Sequence, residues 1–414
     1  MIKFKKIKGL EAKIFALLLL FLPVNLAKHF FFDFAYVDGI LVDYLLPTVY
    51  LTDILIWALL GFWVFRELQK TSSKTLSTSN ISRSDKSLGV YTPKLCLLVF
   101  VTILGFSVFK ALNQPAAVYR WLKLVEYVLF SFYVSKHINL KKDWPTIVRL
   151  LSLGVLLESV LAIAQWFKQG SIFGYWFLGE NKYTVSTPGI AAFDLFGVKK
   201  VRPYGTFPHP NVLGGYLAIL LPWIFYELKK RFTIRDLRFT AFVLGATALL
   251  LSFSRSAWAV GVLGLLGVFG LMFRGEIFLH YSLLPSAYCL SFLRRAELNW
   301  IALEMFKDHP LLGVGLNNFT VRMSEYGEVS GWTRFLQPAH NVYLLIAAET
   351  GLLGLAAFLC FLFFVFCSLL KKKNGLLLIS VAQITLLCFV DHYFFTLPQT
   401  ALLFWLLIGL VFSN

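Results

Sequence analysis

Continuously apolar runs of about twenty residues recur along the chain, each closed by a short stretch of charged, Gly or Pro residues. About 20 residues is the length a helix needs to cross a ~30 Å hydrocarbon core. Barrel strands would alternate apolar and polar positions, and these runs do not. A helix also satisfies its own backbone hydrogen bonds, which lipid cannot do for it. The pattern predicts an all-α polytopic membrane protein with about 12 transmembrane helices, at 14–32, 44–65, 95–113, 117–136, 146–167, 211–228, 238–252, 256–273, 276–292, 341–370, 375–390 and 397–413. The ninth run is diluted by His280, Pro285 and several Ser residues, and the tenth is long enough to tilt.

Between these runs the chain reads as a single integral membrane domain over 1–414. It carries a Ser/Thr-rich cytoplasmic loop at 66–94, an extracytoplasmic loop at 168–210, and a large extracytoplasmic loop at 294–340, before the tenth helix. Composition agrees with this layout: 58% of the 414 residues are hydrophobic and 15% are charged, against roughly 25% charged in a soluble domain. A net charge of +17 raises the question of nucleic acid. Alternating the spans from an inside N-terminus, however, places the whole excess on one face, in segments such as Lys3 to Lys8, Lys136 to Lys142, Lys229 to Arg238 and Lys371 to Lys373. That is the positive-inside bias of a membrane protein, so no nucleic-acid partner is expected. The basic N-terminus and the run after it lack a small-residue cleavage site and read as an uncleaved first helix. Cys96, Cys289, Cys360, Cys367 and Cys388 all fall in apolar runs without zinc-ligand spacing, so neither a metal site nor a disulfide framework is expected.

Four clusters with chemical potential all fall on the outer face. In Arg202-Pro-Tyr-Gly-Thr-Phe-Pro-His-Pro-Asn211, Pro and Gly fix the backbone around an arginine whose planar fork suits phosphate oxygens. The bland alternative is a snorkelling arginine with Asn211 at the start of the next helix. In Ser252-Phe-Ser-Arg-Ser-Ala-Trp258, Arg255 sits between Ser254 and Ser256 where two spans meet. A plain hairpin there would use Gly, Asn or Pro, and outer-face positive charge is disfavoured, so an anion contact is the better reading. His340 opens the tenth span within Gln337-Pro-Ala-His-Asn341; a neutral imidazole there can take a proton, and Asn341 can orient it or a substrate. Gly351 and Gly354 below it would permit close helix packing. In the fourth cluster, Met305 to Phe319, Gly313 and Gly315 follow no strand and lack a Walker lysine, so a tight turn closing a helix that holds Arg294, Arg295 and Trp300 is expected. Within the spans, Lys123 and Glu126 share a helical face and can pair, and Glu158 and Gln165 are placed for interhelical polar contacts. His392, in the turn Asp391-His392-Tyr393, ranks below His340.

These motifs resemble the O-antigen ligase and polymerase superfamily. The carrying residues are Arg202-Pro-Tyr-Gly-Thr-Phe…Pro-Asn211, Ser252-Phe-Ser-Arg-Ser, Pro310-Leu-Leu-Gly-Val-Gly-Leu-Asn-Asn-Phe319, and His340-Asn-x9-Gly351-x-x-Gly354, which looks like the ligase signature. The resemblance implies a glycosyltransferase of the bacterial cytoplasmic membrane that needs neither nucleotide sugar nor metal nor other cofactor. It implies a polyprenyl-diphosphate-linked glycan donor, a glycolipid, glycan or protein acceptor, and an extracytoplasmic active site; the charge alternation over twelve spans puts both termini on the cytoplasmic side. Carried onto this chain, His340 is the candidate base, Arg202 and Arg255 hold the diphosphate, and Arg294, Arg295, Arg322 or Arg334 supplement them. Repeat-unit polymerase and protein O-oligosaccharyltransferase are the alternatives within the class. A lipid-linked glycan flippase is the alternative outside it, though flippases favour mid-membrane polar paths and inverted repeats.

Overall fold

The computed structural model describes residues 4–74, 92–230, 236–273, 290–329 and 336–413. All but the last three residues of the expected ninth span therefore lie outside the described residues, as does Arg334. The fold is mostly helical: α1 (Gly9–Leu20), α2 (Leu51–Lys74), α3 (Thr92–Ser107), α4 (Gln114–His137), α5 (Leu140–Lys168), α6 (Pro210–Lys230), α7 (Leu237–Leu251), α8 (Arg255–Phe273), α9 (Leu290–Asp308), α10 (Phe319–Tyr326), α11 (Val342–Lys372), α12 (Gly375–Leu387), α13 (Tyr393–Thr396) and α14 (Pro398–Val411). Among the described residues five helices are long and apolar enough to cross a membrane: Pro93–Lys110, Leu140–Lys168, Pro210–Lys229, Arg255–Met272 and Val342–Lys372. Leu237–Leu251, Gly375–Leu387 and Pro398–Val411 are apolar but shorter.

Asparagine starts many of these helices. Asn113, Asn139, Asn341 and Asn374 each accept a backbone N–H of the first turn through the side chain, satisfying a donor that a helix start leaves orphaned. The helices then pack as pairs, α5 on α7, α6 on α8, α3 and α9 on α11, and α4 on α14, around one large apolar core. A second, smaller core joins α9, α10 and the first turns of α11 through Leu298, Met305, Phe319 and Leu345.

Two expectations change near the N-terminus. The first run is helical only to Leu20 and the second only from Leu51. Between them Pro23 and Pro47 interrupt helical hydrogen bonding, and the chain instead pairs β1 (Ala27–His29) with β4 (Thr48–Tyr50) and β2 (Tyr36–Val37) with β3 (Ile40–Leu41). A third hairpin, β5 (Ala192–Leu195) with β6 (Val198–Val201), follows α5.

The Lys123–Glu126 pair forms at 3.0 Å, and Asp53 joins it with an oxygen 2.6 Å from Lys123 Nζ. Glu158 and Gln165 do not bridge helices as expected. Their partners lie in the segment that leads from Arg202 to α6 and, for Gln165, also at Glu180, whose Oε1 accepts from its Nε2 at 2.8 Å. Glu158 accepts from the backbone and hydroxyl of Thr206, each at 2.8 Å. Gln165 accepts from the N–H groups of Tyr204 and Gly205 at 2.9 and 2.8 Å. Buried acceptors of this kind are worth keeping only if satisfied, and loop N–H groups satisfy them. Gly205 is needed at that point: its φ is +61° and a Cβ would overlap the Glu158 carboxylate.

α11 is not one straight helix. At Gly351 (φ 67°, ψ −166°) its ladder is broken, and the 310–315 segment enters the gap. Val314 and Gly315 donate to the carbonyls of Ala348 and Glu349 (2.9 and 3.0 Å), while Leu352 and Leu353 donate to those of Pro310 and Leu311 (2.7 and 3.4 Å). Gly351 thus serves a backbone insertion and not the helix–helix packing expected of it, whereas the Gly313 turn does close α9, its N–H bonding His309 O at 3.0 Å.

Candidate functional site

The starts of α6, α8 and α11 and the α12–α13 turn meet at one end of the helices, and that geometry gathers the candidate residues. Arg202 is set by its braced backbone. Its Nε donates to the carbonyl of Ser252 (2.7 Å) and its Nη2 to Asn211 Oδ1 (2.6 Å). Asn211 Nδ2 reaches Asp391 Oδ2 at 3.3 Å. Arg295, near the start of α9, donates to Val390 O (3.1 Å) and faces Asp391 Oδ2 at 3.4 Å. One carboxylate therefore links the Arg202 segment to α9. Arg255 follows Ser252 on the first turn of α8 and is exposed, with Ser254 buried beside it and the Ser254 and Ser256 hydroxyls 3.5 Å apart.

His340 lies just outside α11. Its ring meets His392 edge-on at 4.9 Å between centroids, and its Nδ1 is buried without a hydrogen-bond partner. A ligand-type atom of each of His340, Asp391 and His392 falls within 4.8 Å of the others. His392 Nδ1 lies 2.6 Å from Thr396 Oγ1, whose hydroxyl donates to His392 O at 3.1 Å.

The electrostatics follow from burial against a cluster of cations. Burial pushes His340 down to about 4, with Asp391 pulling it up and Arg295 pushing it further down. His392 and His209 are each pushed down to about 3, again chiefly by burial. Burial alone would raise Asp391, but His340, Arg295, His392 and His209 outweigh it and hold the carboxyl at about 2. Burial lowers Arg202 to about 10; Tyr204 and Asp391 oppose that shift, Arg295 and Arg255 add to it. At neutral pH the cleft thus holds arginine cations, one carboxylate and neutral imidazoles. Two imidazoles and a carboxylate could ligate a metal by type, but the arginines around them disfavour a dication and suit an anion such as a diphosphate.

Of the residues expected from sequence, Arg202, Arg255, Arg295, His340, Ser254 and Asn211 come together here. Asn341 has both ends of its amide engaged, Oδ1 by Leu344 N–H at 3.0 Å and Nδ2 on Phe389 O at 3.1 Å, which makes it a cap that also ties α11 to the turn after α12. Arg294 is next to Arg295 on α9, about 100° around the helix. Arg322 is engaged away from the cleft, with Glu325 at 2.6 Å and His309 at 3.1 Å. The residue that sequence reasoning passed over is Asp391. The available signal was a lone acid beside His392 between two apolar runs, where a charge is costly without a partner.

Asp391 has a testable role as the positioning group for His340. Asp391→Asn keeps the shape and the Asn211 contact but removes the charge that raises the His340 pKa. For any reaction that uses His340 as its base, the acid limb of the pH–rate profile is expected to move to lower pH, with the rate falling by about 10- to 100-fold as the imidazole becomes less basic. A purely structural residue would lower the rate without moving that limb.

The fold and cleft together define a polytopic helical membrane protein with a cationic, histidine-bearing site at one end of its helices. Residues 290–359 match the family model described as O-Antigen ligase, which bears out the resemblance to the O-antigen ligase superfamily. The matched stretch holds Arg295, His340, Asn341, the 310–319 segment and Gly351; Arg202, Arg255 and Asp391 lie outside it, Asp391 tied to it through Arg295 and Arg202 through Asn211 and Asp391. A search of curated proteins found no match to the chain.

Proposed function

We propose that the protein is a metal-independent glycosyltransferase that moves a glycan from a polyprenyl diphosphate to an acceptor hydroxyl at the extracytoplasmic membrane surface, in the manner of an O-antigen ligase. The observation that carries this reading is that Arg202 and Arg295 meet around Asp391, with Arg255 near enough to act on Arg202 electrostatically, beside His340, whose buried Nδ1 has no hydrogen-bond partner. The acceptor O–H gives its proton to His340 as its oxygen attacks the anomeric carbon. The bond from that carbon to the diphosphate oxygen breaks, and the electron pair leaves with the carrier. The arginines offset the charge that develops on the departing diphosphate, the term that usually dominates such catalysis. Displacement from the opposite face inverts the anomeric centre.

A base held near 4 is weak at neutral pH. The arriving dianionic diphosphate raises the His340 pKa by Coulomb attraction, so the base strengthens only when the donor is bound. The proposed orientation is consistent with the opposite end of the helices, where Lys6, Lys136, Lys229 and Lys372, from the basic segments of the sequence, lie near helix termini and bond backbone carbonyls or acids. That basic end fits the cytoplasmic side, which leaves the cleft outside.

The test is transfer in reconstituted membranes, from a polyprenyl-diphosphate-linked oligosaccharide to lipid, sugar and peptide acceptors in parallel. Product on the glycolipid acceptor is expected, with Arg255→Ala lowering kcat by about 100-fold as the charge on the leaving diphosphate loses one partner. Chain extension of the donor would instead point to a polymerase, and a glycopeptide to a protein oligosaccharyltransferase. Movement of the donor between leaflets without covalent product would overturn the reading in favour of a flippase.

A further inference from the structure

The β5–β6 hairpin carries a feature that neither folding nor the cleft explains. Its two strands pair Phe193 with Lys200, Asp194 with Lys199 and Leu195 with Val198, and the turn is Phe196-Gly197. Asp194 Oδ1 closes the turn by accepting from Gly197 N–H at 2.7 Å. Phe196 takes φ 53°, a left-handed backbone that phenylalanine rarely adopts, and its surface is 97% exposed. A turn of this geometry is ordinarily made by Asn, Asp or Gly. Here a large ring is held out in a strained conformation with no protein contact to reward it. Beside it Val198 is 54% exposed, with Lys199 exposed and Lys200 half-buried on the same strand.

The base of the hairpin fixes its height. The Phe193 ring lies 4.0 Å from Phe253 and stacks at 6.1 Å on Trp166. Trp166 is in the last turn of the apolar helix α5 and Phe253 in the turn between α7 and α8, so the hairpin sits level with helix ends. Phe167 and Trp176, 81% and 74% exposed, belong to the same region. Aromatic rings and lysines at the ends of apolar helices are the composition of a membrane–water boundary.

We propose that the hairpin is a lipid-docking element, with Phe196 and Val198 inserted in the outer leaflet and Lys199 and Lys200 against anionic headgroups. The apolar tip matches acyl chains and the adjacent lysines match headgroup phosphates. The element is also wired to the cleft: Arg202 N–H bonds Ala191 O at 3.0 Å where β6 ends, and Phe253, under the Phe193 ring, follows the Ser252 whose carbonyl holds Arg202. Docking thus steadies the Arg202 and Arg255 segments at the surface where a lipid-linked donor arrives; this last step alone rests on the proposed transferase reading.

Placement is tested without activity. With Cys96, Cys289, Cys360, Cys367 and Cys388 replaced by Ala, a nitroxide at Phe196→Cys is measured in 3:1 phosphatidylethanolamine–phosphatidylglycerol vesicles, against Ser186→Cys as the control. Collision with oxygen exceeding collision with a water-soluble nickel chelate at Phe196, with the reverse at Ser186, is expected. Equal nickel access at both positions overturns the proposal. Should the cysteine-free protein fail to fold, hydrogen exchange of the 192–201 peptide in the native chain serves. At least tenfold slower exchange in the same lipids than in detergent is expected, and equal exchange overturns the proposal. For the coupling to the cleft, Phe196→Asp is expected to raise KM about tenfold for a bilayer-borne donor at unchanged kcat. A short-chain, water-soluble donor should show no change; an equal rise for both donors would overturn the coupling and leave the placement result standing.

Discussion

Replacing His340 with alanine is expected to lower glycan transfer by about 100- to 10,000-fold, the range over which a positioned general base contributes. That corresponds to roughly 3–5 kcal/mol of transition-state stabilisation. Binding of the lipid-linked donor should persist, because the cations proposed to hold a diphosphate are Arg202, Arg255 and Arg295, and the supports of Arg202 and Arg295 are Ser252, Asn211 and Asp391 rather than His340. The fold should persist as well. The ring caps no helix, since Asn341 does that, and its Nδ1 has no partner to lose. The check is transfer measured beside equilibrium binding of the donor to the same reconstituted protein. Transfer at the wild-type rate would remove His340 as the base. Loss of both binding and transfer would mean that the ring shapes the diphosphate site. Selective loss of transfer, with an added small imidazole restoring part of it, would place the missing chemistry at the vacated proton acceptor.

Much of this site was legible because it is made of local segments at the ends of apolar runs. Arg202, Arg255 and His340 each stand in a short polar stretch beside a span, where charge is rare enough to be noticed. The helix starts were also readable, since Asn341 and the Pro210-Asn211 pair are recognisable initiators. What could not be read is what depends on partners distant in sequence. Asp391 gains its meaning from Asn211 and Arg295, 180 and 96 residues away. Glu158 and Gln165 share a helix face, which suggests a neighbouring helix, yet their acceptors are used by backbone N–H groups of the 204–206 turn. The same limit explains Lys123: periodicity pairs it with Glu126 on its own helix, while Asp53 reaches it from another. The N-terminal spans were misjudged for a different reason. Hydropathy continues through Phe30, Phe31 and Phe32, but the segment around them is short-range hairpin, and its exposed rings counted as membrane core.

Gly351 is a position at which a single methyl group should do severe damage. The family signature reads it as a small residue in a helix, where Gly→Ala would ordinarily be neutral or stabilise by up to about 1 kcal/mol. The structure reverses that expectation for two separate reasons. The backbone lies at φ 67°, ψ −166°, a region open essentially to glycine alone. A Cβ there would also overlap the backbone of Leu311 and Leu312, which cannot move without breaking the Leu352 N–H bond to Pro310 O. Strain and overpacking each cost about 1–3 kcal/mol, and the hydrogen bonds that hold the 310–315 segment in the gap would be lost with them. Gly351→Ala is therefore expected to destabilise by more than about 4 kcal/mol, in the range reserved for disrupted cores. Gly61→Ala is the control, because nothing lies within 4 Å of its would-be Cβ in α2. Thermal unfolding in detergent should show a large drop in Tm for the first variant and little change for the second. Asn in place of Gly351 should not rescue, since its preference is for the left-handed helical region and not for ψ near −166°. The 310–315 segment joins α9, which carries Arg295, to α10, and its bonds run to both halves of α11, the first of which starts just after His340. Losing that joint should therefore separate the arginine from the base, and transfer should fail in whatever fraction of Gly351→Ala remains folded.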